Sequence, residues 1–204
     1  MLVLASASPR RKELLTQAGF SFRVHPSSVP EELRAGEDPI AFATRLAREK
    51  AQAVFAAIAT QEQGHDPLLV LGADTVVVSP AKEILGKPAD ANDAARMLRL
   101  LSGGTHSVVT GVAVVSRSGV EVASELTYVT MSTISEIEIE AYIQTGEPMD
   151  KAGAYAIQGY AATWIPRIHG CYFNVVGLPL ALVSSILEGV EKRLRSETAA
   201  AVSN

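Results

Sequence analysis

The chain has 204 residues, 48% of them apolar, a formal net charge of −4 and a single cysteine. That length supports one substantial core with room for two lobes, no apolar run approaches the ~20 residues that span a bilayer, and one cysteine excludes an internal disulfide framework. A mildly negative chain offers nucleic acid no global attraction, so any polyanion must be met by a local cluster of cations, which points to a small ligand.

Leu2–Ala5 reads as a strand, too short for the core of a signal peptide, so the expected compartment is the reducing cytoplasm. Ser8 then caps a helix that Pro9 opens and Gly19 ends after Ala18. Its first turn carries Arg10 and Arg11, at the end of the dipole that favours acids. Either these are solvated arginines on a capped helix, or they gather an anion. The hydroxyls of Ser6 and Ser8, free backbone N–H groups and two guanidinium forks together suit a polyphosphate. Phe20–Val24 reads as a second strand, and Glu31-Glu32 as an acidic pair in a proline-flanked surface loop. Asp38-Pro39 open a helix that reaches Ala59. On a wheel of ~100° per residue, Ile40, Ala43, Ala47, Val54, Ala57 and Ile58 share an apolar face with Lys50 near its middle. Arg45, Arg48, Glu49 and Gln52 lie opposite. Lys50 therefore needs an anionic partner, either within the protein or on a bound phosphate.

After a polar loop over Thr60–Pro67, Leu68–Leu71 and Thr75–Val78 are apolar runs suited to central strands. Asp74 falls at their junction, which predicts a strand end or a bend permitted by Gly72. There it either caps a loop or acts as proton acceptor or cation ligand. Lys87, between Gly86 and Pro88, stands on a short loop, solvated or aimed at a ligand. Asp90 caps a helix to Leu101, closed by Ser102-Gly103-Gly104. His106–Ser116 and Val120–Met131 read as a long hairpin joined at Arg117-Ser-Gly119. Ser135-Glu-Ile-Glu138 is a capping box for a helix ending before Gly146. In the glycine-rich loop Gly146–Gly159, Gln158 reads as a buried amide. It is either satisfied by backbone or reads a base that Gly159 lets come close. Thr163–Ile168 with Cys171–Val175 reads as a second hairpin. Pro179 opens the last helix, and 196–204 is expected to be disordered. The fold class is α/β, with a mixed, strongly twisted sheet flanked by helices. His25, His65, His106 and His169 lack paired ligand spacing, which argues against zinc. No P-loop is present, which argues against a kinase or an ordinary ATPase.

Ser6-Ala-Ser8-Pro9-Arg10-Arg11, followed by Glu13-Leu-Leu and Gly19, resembles the Maf family of nucleoside triphosphate pyrophosphatases. The likeness recurs in order at Arg45-Leu-Ala-Arg-Glu-Lys50-Ala, Gly72-Ala-Asp74-Thr75-Val, Gly86-Lys87-Pro88, Asp150-Lys-Ala-Gly-Ala-Tyr155-Ala-Ile-Gln158-Gly159 and Val176-Gly-Leu-Pro179. It implies a single domain over 1–195 with two lobes and a central cleft, as in inosine triphosphate pyrophosphatases. It also implies hydrolysis between the α and β phosphates. Asp74 is then the proton acceptor and, with Glu32, a ligand of a divalent metal cation, Mg2+ or Mn2+. Arg10, Thr75 and Gln158 match positions associated with choice of base. Ser6, Ser8, Arg11, Lys50 and Lys87 are the expected phosphate contacts. Ser-Pro-Arg-Arg, Gly-Ala-Asp-Thr and Tyr-Ala-Ile-Gln-Gly together resemble the subgroup acting on dTTP and UTP, with modified pyrimidine triphosphates as further candidates. The implied partner is a small nucleoside triphosphate, with no nucleic acid or membrane, and a homodimer is implied as well. Two alternatives stay open: a pyrophosphatase for non-standard purine triphosphates, and a nucleotide-binding regulator of cell division. Asp74 beside Arg10, Arg11, Lys50 and Lys87 favours turnover over binding alone.

Overall fold

A computed structural model describes residues 1–59 and 67–202; the loop expected over Thr60–Pro67 lies, apart from Pro67, outside them. The described residues form a seven-stranded mixed sheet. Strand β1 (Leu2–Leu4) pairs in parallel with β2 (Phe22–Val24) and β3 (Leu69–Val78). Strand β4 (Ile84–Leu85) runs antiparallel to β3. The expected long hairpin is β5 (Thr105–Ser116) and β6 (Gly119–Thr130), with β5 beside β3. Strand β7 (Arg167–His169) closes the far edge antiparallel to β6. No helix among the described residues is long and apolar enough to cross a membrane.

The chain divides into two compact units, and β3, β5 and β6 each contribute residues to both. The first comprises Met1–Asp74, Gly111–Ser124 and Gly177–Asn204. It holds α1 (Pro9–Gln17), α2 (Pro39–Ile58) and α6 (Leu180–Val202). Ser8 and Asp38 cap α1 and α2 as expected, each followed by proline in the first turn. The core of this unit is a cluster of Val3, Ala5, Ala47, Ala51, Val54, Leu68, Val70, Ala113 and Val115. Small residues dominate because α2 lies almost on the sheet backbone. A Cβ at Gly72 would stand 2.2 Å from the Ala47 carbonyl oxygen, and one at Gly111 2.3 Å from that of Ala43. Glycine here buys proximity, since it is the only residue without that atom.

The second unit comprises Thr75–Thr110 and Glu125–Val176. It holds α3 (Ala91–Leu101), α4 (Glu136–Gln144), short 3-10 turns at Glu147–Asp150, Ala152–Ala154 and Tyr160–Trp164, and α5 (Tyr172–Val176). Asp90 caps α3, and the Ser135–Glu138 capping box is complete.

Several expectations are corrected. The two apolar runs around Asp74 form one strand, β3, so Asp74 sits inside a strand and not at an end or bend. Gly72 admits the close helix instead of turning the chain. The hairpin expected over Thr163–Val175 does not form. Thr163 lies in a 3-10 turn, Ile168 pairs with Val129 of β6, and Tyr172–Val176 is helical. Its β-branched residues favour a strand locally, but the Asn174 amide donates to the Val108 carbonyl and to Thr127 Oγ1, and tertiary bonds override propensity. Helix α6 runs to Val202, and Ser118 Oγ donates to the Glu197 carboxylate on it. On α2, Lys50 is buried within the stripe as expected, while Ile40 is exposed.

Candidate active site

Strand β1 delivers Ser6, and the α1 cap follows at once. Ser6 Oγ accepts from the Ser8 N–H at 3.2 Å and from Arg11 NH1 at 3.1 Å. Ser8 Oγ accepts from the Arg11 N–H. Arg11 Nε donates to the Gly177 carbonyl at 2.8 Å. Arg11 is therefore no solvated surface arginine: it is buried, and burial pulls its pKa down against the fields of Asp74 and Glu31. Arg10 lies half-buried beside it.

Lys50 and Asp74 are both buried, and Lys50 Nζ donates to Asp74 Oδ1 at 2.6 Å and to Glu31 at 2.5 Å. The anionic partner that the apolar stripe demanded is thus internal. Lys50, expected to aim at phosphate, is held by two carboxylates. Desolvation pushes the Asp74 pKa above its ordinary value and Glu31 adds to that push, while Lys50 and Arg11 oppose it. A strand-centre carboxylate with a raised pKa, steadied by two cations, is equipped to accept a proton.

The expected metal ligand Glu32 is exposed, and its carbonyl accepts from Arg45 at 2.9 Å; the acid on Lys50 is its neighbour Glu31. Sequence reasoning saw the acidic pair but had no signal for which member meets Lys50. Among the described residues no three His, Cys, Asp or Glu gather as a metal cage. Asp74 and Glu31 nonetheless converge on a single cation, the Lys50 ammonium. Two hard oxygen donors fit a magnesium-type ion, which keeps waters and takes further oxygens from phosphate.

Thr75, Lys87 and Gln158 belong to the second unit. Thr75 Oγ1 and Thr110 Oγ1 share a hydrogen bond of 2.9 Å, and Thr110 donates to the Asn174 carbonyl. Asn174, completely buried, ties this group to Val108 and Thr127. Lys87 is exposed on its loop. Gln158 is exposed too, not the buried amide expected. The space at Gly159 is taken by a side chain of the same unit: a Cβ there would meet Glu147 Oε1 at 1.9 Å. Tyr142 explains that placement, because its hydroxyl donates to Glu147 Oε1 at 2.8 Å and accepts from the Ala156 N–H. The loop bearing Gln158 is thereby tied to α4.

Ser6, Ser8, Arg10, Arg11, Glu32, Lys50 and Asp74 all fall in the first unit, with Lys50 in direct contact with Asp74 and Arg11 with Ser6. The family model described as Maf-like protein matches residues 1–190. The chain is 56% identical over 182 residues to a dTTP/UTP pyrophosphatase of Koribacter versatilis, covering 89% of this chain and 90% of that protein. A protein of the same name from Geobacter sulfurreducens is 54% identical over 184 residues, 89% of this chain and 92% of the relative. Another from Bacillus pumilus is 46% identical over 187 residues, 92% and 95% of the two chains. With a buried acid and paired cations standing where its motifs fall, and near-complete matches on both sides, this chain is a member of the Maf family.

Proposed function

We propose that the protein hydrolyses dTTP and UTP to the nucleoside monophosphate and pyrophosphate. The observation that carries this reading is the buried Asp74 carboxylate on Lys50, in a chain whose near-full-length relatives bear that activity in their names. Water attacks the α-phosphorus and its oxygen forms the new P–O bond. Asp74 takes the proton, the bridging bond between the α and β phosphates breaks, and pyrophosphate leaves with the electron pair. Burial raises the proton affinity of Asp74, while Lys50 and Arg11 keep the carboxylate oriented and ionisable. Ser6, Ser8 and the first turn of α1 offer hydroxyl and N–H donors to phosphate oxygens. Lys87 adds a cation, and positioning with charge neutralisation supplies most of the rate. A bound magnesium or manganese ion would neutralise phosphate charge, held by Asp74 and Glu31. Gln158, with Arg10 and Thr75, reads the pyrimidine.

The test is pyrophosphate release by wild type and by Asp74→Asn. Loss of general-base assistance should lower turnover by ~10² or more while leaving nucleotide binding in place. A folded Asp74→Asn protein with near wild-type turnover would remove Asp74 from the mechanism.

A further inference from the structure

Glu31 reaches Lys50 from a loop without regular secondary structure, and its side chain is 47% exposed. A carboxylate that open to solvent contributes little towards ordering the loop that carries it. Arg45 bonds the same loop at two points. Its guanidinium is bidentate to Glu37, Nε to Oε1 at 2.6 Å and NH2 to Oε2 at 2.7 Å. The same NH2 donates to the Glu32 carbonyl at 2.9 Å, while NH1 donates to Glu49 Oε2 at 3.1 Å. Within the loop, Glu37 Oε2 also accepts from the Arg34 N–H, and the Glu37 N–H donates to the Arg34 carbonyl. Outside it, Arg34 reaches Glu49 on α2 at 2.9 Å. The Arg45 and Glu37 side chains are only 14% and 10% exposed, and the Phe42 ring lies 5.4 Å from the guanidinium carbon. One planar fork thus grips the loop near both ends, at Glu32 and Glu37, and Lys50 on the same helix receives Glu31.

We infer that Arg45 is a positioning residue: it pins the 31–37 loop to α2 so that the Glu31 carboxylate stands on Lys50 beside Asp74. This gives a role to a residue whose place on the polar side of α2 reads as ordinary surface charge, and it rests on the pyrophosphatase reading above. The fork geometry is the working part. Lysine keeps the charge, but three donors on one nitrogen cannot replace the four bonds that the planar guanidinium makes to Glu37, Glu32 and Glu49.

The experiment combines hydrogen exchange with a double-mutant cycle. In Arg45→Lys, amide exchange of the 31–37 segment should accelerate while that of β3 stays slow. kcat/KM for dTTP should fall by about tenfold in Arg45→Lys, and similarly in Glu31→Gln, with the double variant little worse than either single one, the signature of residues acting through each other. Should Arg45→Lys fail to fold, Glu37→Gln weakens the same fork from the other side and should give the same pattern. Multiplying losses in the cycle, or unchanged exchange of the segment, would overturn the inference. A wild-type protein that released no pyrophosphate would instead sink the functional reading, and the exchange arm alone would then decide whether Arg45 holds the loop.

Discussion

Lys50 answers to two carboxylates, and the chemistry of Asp74 depends on that sharing. Lys50→Met would suit the apolar stripe of α2 but would strand the buried Asp74, leaving Arg11 as a cation acting on it. Breaking a buried pair from one side costs about 3–5 kcal/mol. Because desolvation already raises the Asp74 pKa, the stranded acid escapes by taking a proton at low pH. The Tm loss of Lys50→Met should therefore be large at pH 8 and shrink towards pH 5; a loss independent of pH would mean that Asp74 does not carry it. Gln158 makes a different case. Its exposure leaves both amide groups open to a ligand, and a pyrimidine 2,4-dione offers an acceptor beside a donor that one amide can match. Gln158→Ala should cut kcat/KM for dTTP and UTP about ten- to a hundredfold, and by less for poor purine substrates. An equal loss for every triphosphate would show that Gln158 supports its loop and does not read the base.

Helix α2 sets the site because β3 lets it approach. Gly72→Ala would place a methyl 2.2 Å from the Ala47 carbonyl oxygen, and backbone cannot yield as a flexible side chain does. The expected cost is about 3 kcal/mol or more, the upper end for overpacking. Gly189→Ala, on α6 with open space at the new methyl, should instead stabilise by up to ~1 kcal/mol. Denaturant midpoints of the two variants check the pair, and similar midpoints would contradict the close packing. Caps, the long hairpin and the apolar stripe of α2 were legible in the chain because each depends on neighbours in sequence. Asp74 as a mid-strand acid was not. Its compensation comes from Lys50 on another element, and an isolated carboxylate between apolar runs reads as a break. Glu31, Arg45 and Glu147 escaped for the same reason: exposed-looking charges acquire roles only through partners that the fold brings up. Gln158 erred the other way, since apolar and glycine neighbours suggested burial that the loop does not provide.

Global stability should carry the mark of His106. It is 2% exposed, shares a 2.8 Å hydrogen bond between Nε2 and the Tyr155 hydroxyl, and burial lowers its pKa from 6.5 to about 4. A depressed folded pKa means that the unfolded chain takes up the proton first. The stabilisation is complete above pH 6.5 and is lost as pH falls towards 4, on the order of 3 kcal/mol in all. His106→Gln, which does not titrate, should flatten the wild-type decline in urea stability between pH 7 and pH 4.5; an identical decline in both would place its origin elsewhere. The proposed reaction is attack of water on the α-phosphorus of a pyrimidine triphosphate. The most direct measurement is hydrolysis of dTTP and UTP in 18O-enriched water, with the products resolved by mass. The label should appear in dTMP and UMP, with unlabelled pyrophosphate released in equal amount. Label in pyrophosphate, or release of labelled orthophosphate with a nucleoside diphosphate, would contradict it.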